Sequence, residues 1–288
     1  MIKLFKYLLL GIVALRLQAQ QISMNFPKFS GKSYDFIIFQ GSEQKTVFQG
    51  IIPEGGKFIL SIPKEYIPYK GMGRWLITGT KEGGGLDMYI PGQDFSVSCN
   101  SGIPNNTNII YKDNIGNTEL NELFKMQEKI LTRYQVMLQA VNIFTTKDAN
   151  YSVFQSEYNK QKKDYDKFQE LLTKRDDYIG EIIRIVNITQ GIGTKLYDKE
   201  VQKAENISFY VSHQLDWNML YTSGYWWSVL NGWVSIHTQV LKDKNMFLKE
   251  FEMIGSKLKD KHQYTDFVSK VTYFLKESNN EDYLKAIA

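Results

Sequence analysis

Cysteine is almost absent: Cys99 is the only one in 288 residues. A single thiol cannot close an internal disulfide, form a CxxC redox pair or build a multi-thiolate zinc site, so the fold must be held by its core alone. Histidine is nearly as scarce, and His213, His237 and His262 show no HExxH spacing of a zinc hydrolase. No GxSxG elbow of a serine hydrolase occurs. "QGIGTK" at 190–195 lacks the full spacing and the preceding strand of a phosphate loop, and reads as a helix-breaking turn. "EGGGLD" at 82–87 reads as a flexible hairpin. No proline follows Pro104, which permits long helices beyond it. These absences leave no catalytic, metal or cofactor site to predict.

Charge of one sign is also lacking. The formal charge is +4. The first nineteen residues, "MIKLFKYLLLGIVALRLQA", carry Lys3, Lys6 and Arg16, and without them it falls to +1. Their positive start, short apolar run and small Ala19 read as a secretory signal peptide. The run is far shorter than the ~20 residues of a membrane span, so no transmembrane span is expected after cleavage. No cysteine near the cut supports a lipoprotein anchor. The expected address is the periplasm or cell envelope, and so balanced a chain is not expected to bind nucleic acid.

What is present divides in two. From Gln21 to about residue 115, "YDFIIFQG", "QKTVFQGIIP", "GKFILSIP", "GRWLITGT", "LDMYIPG" and "DFSVSC" are short, β-rich and separated by glycine turns. Phe58, Leu60 and Ile62 alternate with Lys57, Ile59 and Ser61, so each strand should bury one face and expose the other. The prediction is an antiparallel β-sandwich or open barrel, with hairpins at Glu54-Gly55-Gly56 and Pro91-Gly92. From 116 to 288 the apolar period becomes helical, beginning with Leu120, Leu123, Phe124, Ile130, Leu131, Tyr134, Leu138 and Val141. Asn117 or Thr118 should cap that helix, and Ser152 with Gln155 looks like a capping box. A second helix should turn Phe154, Tyr158, Tyr165, Phe168 and Leu172 inward. Further helices are expected around 178–190, 196–215, 225–241, 244–258 and 262–276. The fold class is α+β: a β domain, 21–115, then an all-α bundle, 116–288.

The least ordinary stretch is "DWNMLYTSGYWWSVLNGW". Tyr225, Trp226, Val229, Leu230, Trp233, Ile236 and Val240 form one helical stripe, with Trp227 off it. Such a row, with Trp217 nearby, serves either as core or as a groove that stacks sugars or holds a peptide. His213 and Asp216, three apart, read as a structural pair. Cys99 shares a strand face with Phe95 and Val97. It reads as a small buried thiol, with an intermolecular disulfide as the alternative.

The order of these parts resembles a known arrangement. "NFPKFSGKSYDFIIFQG", "TVFQGIIPEGGKFILSIPKEYIPYKGMGRWLI" and "LDMYIPGQDFSVSC" are similar to the N-terminal β module of Bacteroidetes envelope proteins of the TlpA/ResA thioredoxin-like type. Residues 116–288, with "LYTSGYWWSVLNGW", resemble the helical domain that follows it there. In that family the chemistry belongs to a C-terminal thioredoxin domain with a W-C-x-x-C site, and no position here matches it. The resemblance implies a stand-alone relative or a truncated reading frame. The expected function is a non-catalytic envelope module that binds a protein or peptide partner. The rivals are a carbohydrate- or peptide-binding protein using the aromatic helix, and an oxidoreductase part lacking its redox domain.

Overall fold

The computed structural model describes residues 20–81 and 83–287. The expected signal peptide lies outside the described residues. Eight strands come first: β1 (Gln20–Asn25), β2 (Ser33–Gln40), β3 (Glu43–Ile51), β4 (Lys57–Ile62), β5 (Lys70–Thr78), β6 (Gly85–Pro91), β7 (Phe95–Ser98) and β8 (Ile110–Lys112). They form two four-stranded sheets, in the orders β4-β1-β7-β8 and β3-β2-β5-β6. Ile22, Met24, Leu60, Phe95, Val97 and Cys99 of the first sheet share one core with Phe36, Ile38, Trp75, Met88 and Ile90 of the second. The α+β architecture, a β module followed by a helical part, is as the sequence implies.

Three details differ from expectation. β1 pairs with β7 in parallel, so the first sheet is mixed. The two glycine and proline turns are not hairpins, because β3 and β4, like β6 and β7, belong to different sheets. The Gly55-Gly56 turn instead approaches the chain after β1, where the Phe26 amide donates to the Gly56 carbonyl. The actual tight hairpin is Gly41-Ser42, where φ of +58° at Gly41 suits glycine. Finally, the outer face of the second sheet is covered over β2 and the end of β6, while β3 and the Arg74–Asp87 pair stay open to solvent. Met88 and Ile90 point into the sandwich while Tyr89 joins the helical core. Ile37 and Phe39, alternating with Phe36 and Ile38, are buried too. Period two marked the two faces, and the outer one is dry only where the helical part covers it.

The helices are α1 (Ile115–Ile143), α2 (Tyr151–Thr173), α3 (Tyr178–Thr189), α4 (Glu200–Phe209), α5 (Trp217–Tyr221), α6 (Trp226–Ser235), α7 (Lys244–Lys257), α8 (Lys261–Glu277) and α9 (Glu281–Ala286). None is long and apolar enough to cross a membrane. α4 and α6 each end in a π-helical turn, at Tyr210–Gln214 and Ile236–Leu241. The α1 cap position is Asn114, not Asn117 or Thr118 as expected, and its side chain makes no cap hydrogen bond. Asn117 is instead drawn to the sheet edge: its Oδ1 accepts from the Tyr89 amide at 2.8 Å, and its Nδ2 donates to the Tyr89 carbonyl at 2.8 Å. Ser152 lies inside α2, whose cap position is Asn150, so the expected capping box does not form. Tyr158, Tyr165, Phe168 and Leu172 do face inward, with Phe154 half-buried.

The "LYTSG" segment explains how the two parts join. The Gly41 amide donates to the Tyr221 carbonyl at 2.7 Å, and the Met72 amide donates to the Thr222 carbonyl at 2.9 Å. Thr222 Oγ1 donates to the Lys70 carbonyl at 2.9 Å. This approach requires Gly71, where a Cβ would stand 2.5 Å from Thr222 Cβ and 2.7 Å from its carbonyl oxygen. Gly71→Ala is therefore expected to cost about 1–3 kcal/mol through overpacking against backbone that cannot step aside. Thermal denaturation checks this, and an unchanged midpoint would show that the junction yields freely.

Candidate functional site

The aromatic row does not converge on a groove. Trp217, Trp226 and Trp233 are buried in the helical core. Trp217 meets Trp226 edge-on at 5.5 Å, and Trp233 stacks on Phe247 at 4.9 Å. Tyr225 is half-buried. Trp227 alone among them is exposed, at 42%, beside Tyr273 and under the Lys270 ammonium. His213 and Asp216 do not pair. His213 stacks on Phe209 and contacts the Ser212 hydroxyl, while Asp216 caps α5 by accepting from the Asn218 and Met219 amides. Three residues span the end of a π-turn here, so the helical face that would have joined them is broken.

Cys99 is 2% exposed and sits with Phe95 and Val97 as the alternation implies. Its Sγ lies 3.3 Å from Asn108 Oδ1 and 3.8 Å from the Ser101 carbonyl. Those acceptors would also serve a hydroxyl, so Cys99→Ser should cost less than about 1 kcal/mol rather than a full desolvation penalty. The native thiol should label slowly and the denatured one fast. Rapid labelling of folded protein would contradict a core position.

The sequence reading missed a buried polar hub. Glu250 Oε2 accepts from Ser208 Oγ at 2.6 Å and from Trp233 Nε1 at 3.0 Å, and lies 3.0 Å from His237 Nε2. Ser208 Oγ is also 2.8 Å from His237 Nε2. Because the serine donates to the carboxylate, the imidazole proton belongs on Nε2, between the two oxygens. A catalytic serine–histidine–acid relay needs the serine and the acid on opposite ring nitrogens. Here both share Nε2, Nδ1 has no partner, and every member is buried. The hub ties α4, the π-turn after α6, and α7 together. Burial alone would raise the Glu250 carboxyl, but the bonds from His237, Ser208 and Trp233 outweigh it and hold it below its ordinary value. A signal was available: His237 continues the inward series Trp226, Leu230, Trp233, and Glu250 lies among Phe247, Phe251 and Ile254. A polar residue on an apolar stripe needs a buried partner.

A concavity of about 820 Å³ with many polar side chains lies elsewhere. α2 supplies Asp166, Gln169, Glu170 and Thr173, with Lys174 just past its end, α3 supplies Arg184, and the "QGIGTK" turn supplies Thr194 and Lys195, with Tyr210 and Gln214 from the π-turn after α4. The glycine turn is thus a wall of the cleft. Gly193 approaches the Asn206 side chain too closely to admit a Cβ, and its carbonyl accepts from Tyr165 Oη at 2.8 Å. Beneath the cleft, Gln169 Nε2 and Oε1, Arg184 Nε and the Tyr210 hydroxyl make no hydrogen bond. Tyr210 lies near Glu181 and Arg184 without ordinary bonding geometry, and burial pushes its hydroxyl well up. Burial likewise raises Glu181, whose Oε1 accepts from the Asp216 amide at 2.9 Å. Unpaired buried polar groups are rare because each costs about 1–3 kcal/mol, so four beneath one cleft mark it out.

Among the described residues, no group of three or more His, Cys, Asp or Glu side chains is placed to hold a metal ion. Comparison of the chain with protein-family models, curated proteins and solved structures gives no match.

Proposed function

We propose that the chain is an exported, non-catalytic envelope module that holds a peptide or a segment of a partner protein in the α2–α3 cleft. The observation that carries this reading is the cleft itself: a concavity with polar side chains over buried groups that make no hydrogen bond of ordinary geometry. A binding site keeps such groups at a cost in stability that its ligand offsets. The resemblance to the N-terminal parts of TlpA/ResA-type proteins favours an accessory role beside thiol–disulfide exchange. Export is supported by residues 1–19, since a cut after Ala19 leaves β1 intact. Gln20 begins that strand, its side chain bonding both the amide and the carbonyl of Tyr69.

The test is heteronuclear NMR of the labelled chain with a pool of short unstructured peptides. Shifts should cluster at Gln169, Thr194, Lys195 and Gln214, and Glu170→Trp, which fills the cleft, should abolish them. Shifts scattered over the surface would refute the reading. A second reading, sugar stacking, is favoured by the exposed Trp227 beside Tyr273, which is 45% exposed. Oligosaccharide-dependent quenching lost in Trp227→Ala would decide for it.

A further inference from the structure

We infer that the outer face of the first sheet is a second binding surface, separate from the α2–α3 cleft, and that it receives an acidic amphipathic helix of a partner protein. The strand register places the outward side chains. Ser23 of β1 stands between Ile59 of β4 and Ser96 of β7, and Ser96 faces Lys112 of β8. In the next row Asn25 stands between Lys57 and Ser98, and Ser98 faces Ile110. The interior strands thus offer short polar side chains, while each outer strand raises one isoleucine and one lysine. Ile59 is 48% exposed and Ile110 65%, and both lysines are exposed. Over this low floor, from β4 to β7, lies a concavity of about 680 Å³.

Charge sets the sign of the partner. The ion pairs of the β module, Lys45–Glu43 and Arg74–Asp87, both belong to the second sheet, and neither Lys57 nor Lys112 pairs with a described carboxylate. The carboxylates nearest in sequence are placed elsewhere: Asp94 accepts from the Gln21 amide at 2.8 Å, and Asp113 lines the concavity at the start of α1. Backbone bonding sets the partner's form. β1 and β7 are interior strands whose ladders are filled on both sides, so an added strand would find no free backbone group on this face. The occupant must meet side chains alone. From β4 to β8 is three strand spacings, ~14 Å, which admits a helix of ~10–12 Å across. Such a helix sets apolar side chains on Ile59 and Ile110 and carboxylates toward Lys57 and Lys112. A flat bilayer would rest on the two isoleucines and leave the floor empty, and a nucleic acid would bring more phosphates than two lysines neutralise.

The test follows the labelled full chain by NMR against three helical peptides of about fifteen residues, each a leucine stripe on an alanine helix flanked by glutamate, glutamine or lysine. The glutamate peptide should shift Ser23, Asn25, Ser96 and Ser98 saturably while leaving Gln169 and Thr194 of the other cleft unmoved. The glutamine and lysine peptides should bind at least about tenfold more weakly. Lys57→Glu combined with Lys112→Glu should make the lysine peptide the preferred one, a reversal that loss of folding would not produce. Equal binding of the glutamate and glutamine peptides would overturn the acidic partner. No shift on this face with the glutamate peptide would overturn the surface, and the wild-type comparison stands even where the double variant fails to fold. A stronger response to phosphatidylglycerol vesicles than to the glutamate peptide would make the face a membrane contact instead. Shifts there that grow with protein concentration alone would make it a contact between copies of the chain. None of these outcomes bears on the α2–α3 cleft, which Gln169 and Thr194 report separately.

Discussion

Glu250→Ala is expected to lower the unfolding free energy by about 3–5 kcal/mol, the usual consequence of breaking a buried charged cluster from one side. Ser208 of α4 meets Trp233 of α6 and His237 of its terminal π-turn on one carboxylate oxygen. Its removal leaves the Ser208 hydroxyl and the Trp233 indole N–H without their acceptor, while His237 Nε2 keeps only Ser208 Oγ. Glu250→Gln keeps an oxygen but sets an NH₂ group beside them, so about 1–3 kcal/mol is expected. Acid should act in the same direction. The Glu250 carboxyl titrates below its ordinary range in the fold, so its contribution is fully present above the unfolded-state value. It is lost as pH falls through the folded-state value. Urea denaturation across the acid range checks both: the wild type should weaken below the ordinary glutamate range, and Glu250→Gln should lack that part of the slope. An alanine variant within 1 kcal/mol of wild type would mean that solvent reaches the hub.

Trp226→Ala should be as costly, about 3–5 kcal/mol, because it opens a cavity among Trp217, Tyr221 and the surrounding helical core. Trp226→Phe should be milder, since the Trp226 indole N–H is already buried without a partner. Trp227→Ala, on the exposed side of the same helix, should stay within about 0.5 kcal/mol of wild type. Chemical denaturation of the three variants separates packing from recognition. A stable Trp226→Ala protein would put that ring at a surface after all.

The legibility of the sequence follows the range of the forces involved. Strand and helix periods are local, so six of the eight strands and the inward faces of α2 and α6 could be read directly. The change of period near residue 116 falls close to the β8–α1 boundary for the same reason. β1 and β8 were harder to see. "QQISMN" takes its place through pairing with β4 and β7, and "IYK" is only three residues long. Which sheet a strand joins is non-local, which is why Glu54-Gly55-Gly56 resembled a hairpin yet connects two sheets. The cap moved from Asn117 to Asn114 because the Asn117 side chain bonds the backbone of Tyr89, 28 positions earlier. The cleft was illegible for a related reason. Gln169, Arg184 and Tyr210 each sit on helices whose own patterns are ordinary, and only packing reveals that their polar atoms find nothing.

The docking of Tyr221 and Thr222 on the β module bears on how the chain matures. Ser42, whose amide and hydroxyl bond Asp266, lies 224 positions from it. The strands are synthesised long before the segment that covers their outer face. In that interval the Gly41 and Met72 amides have only water, and Ile37, Phe39 and Tyr89 present an apolar face to whatever is near. Contacts of such long separation form late and slow the approach to the native state. An emerging chain is therefore most vulnerable to mispairing at the second sheet, and a holdase chaperone would find its natural grip there until the last helices arrive.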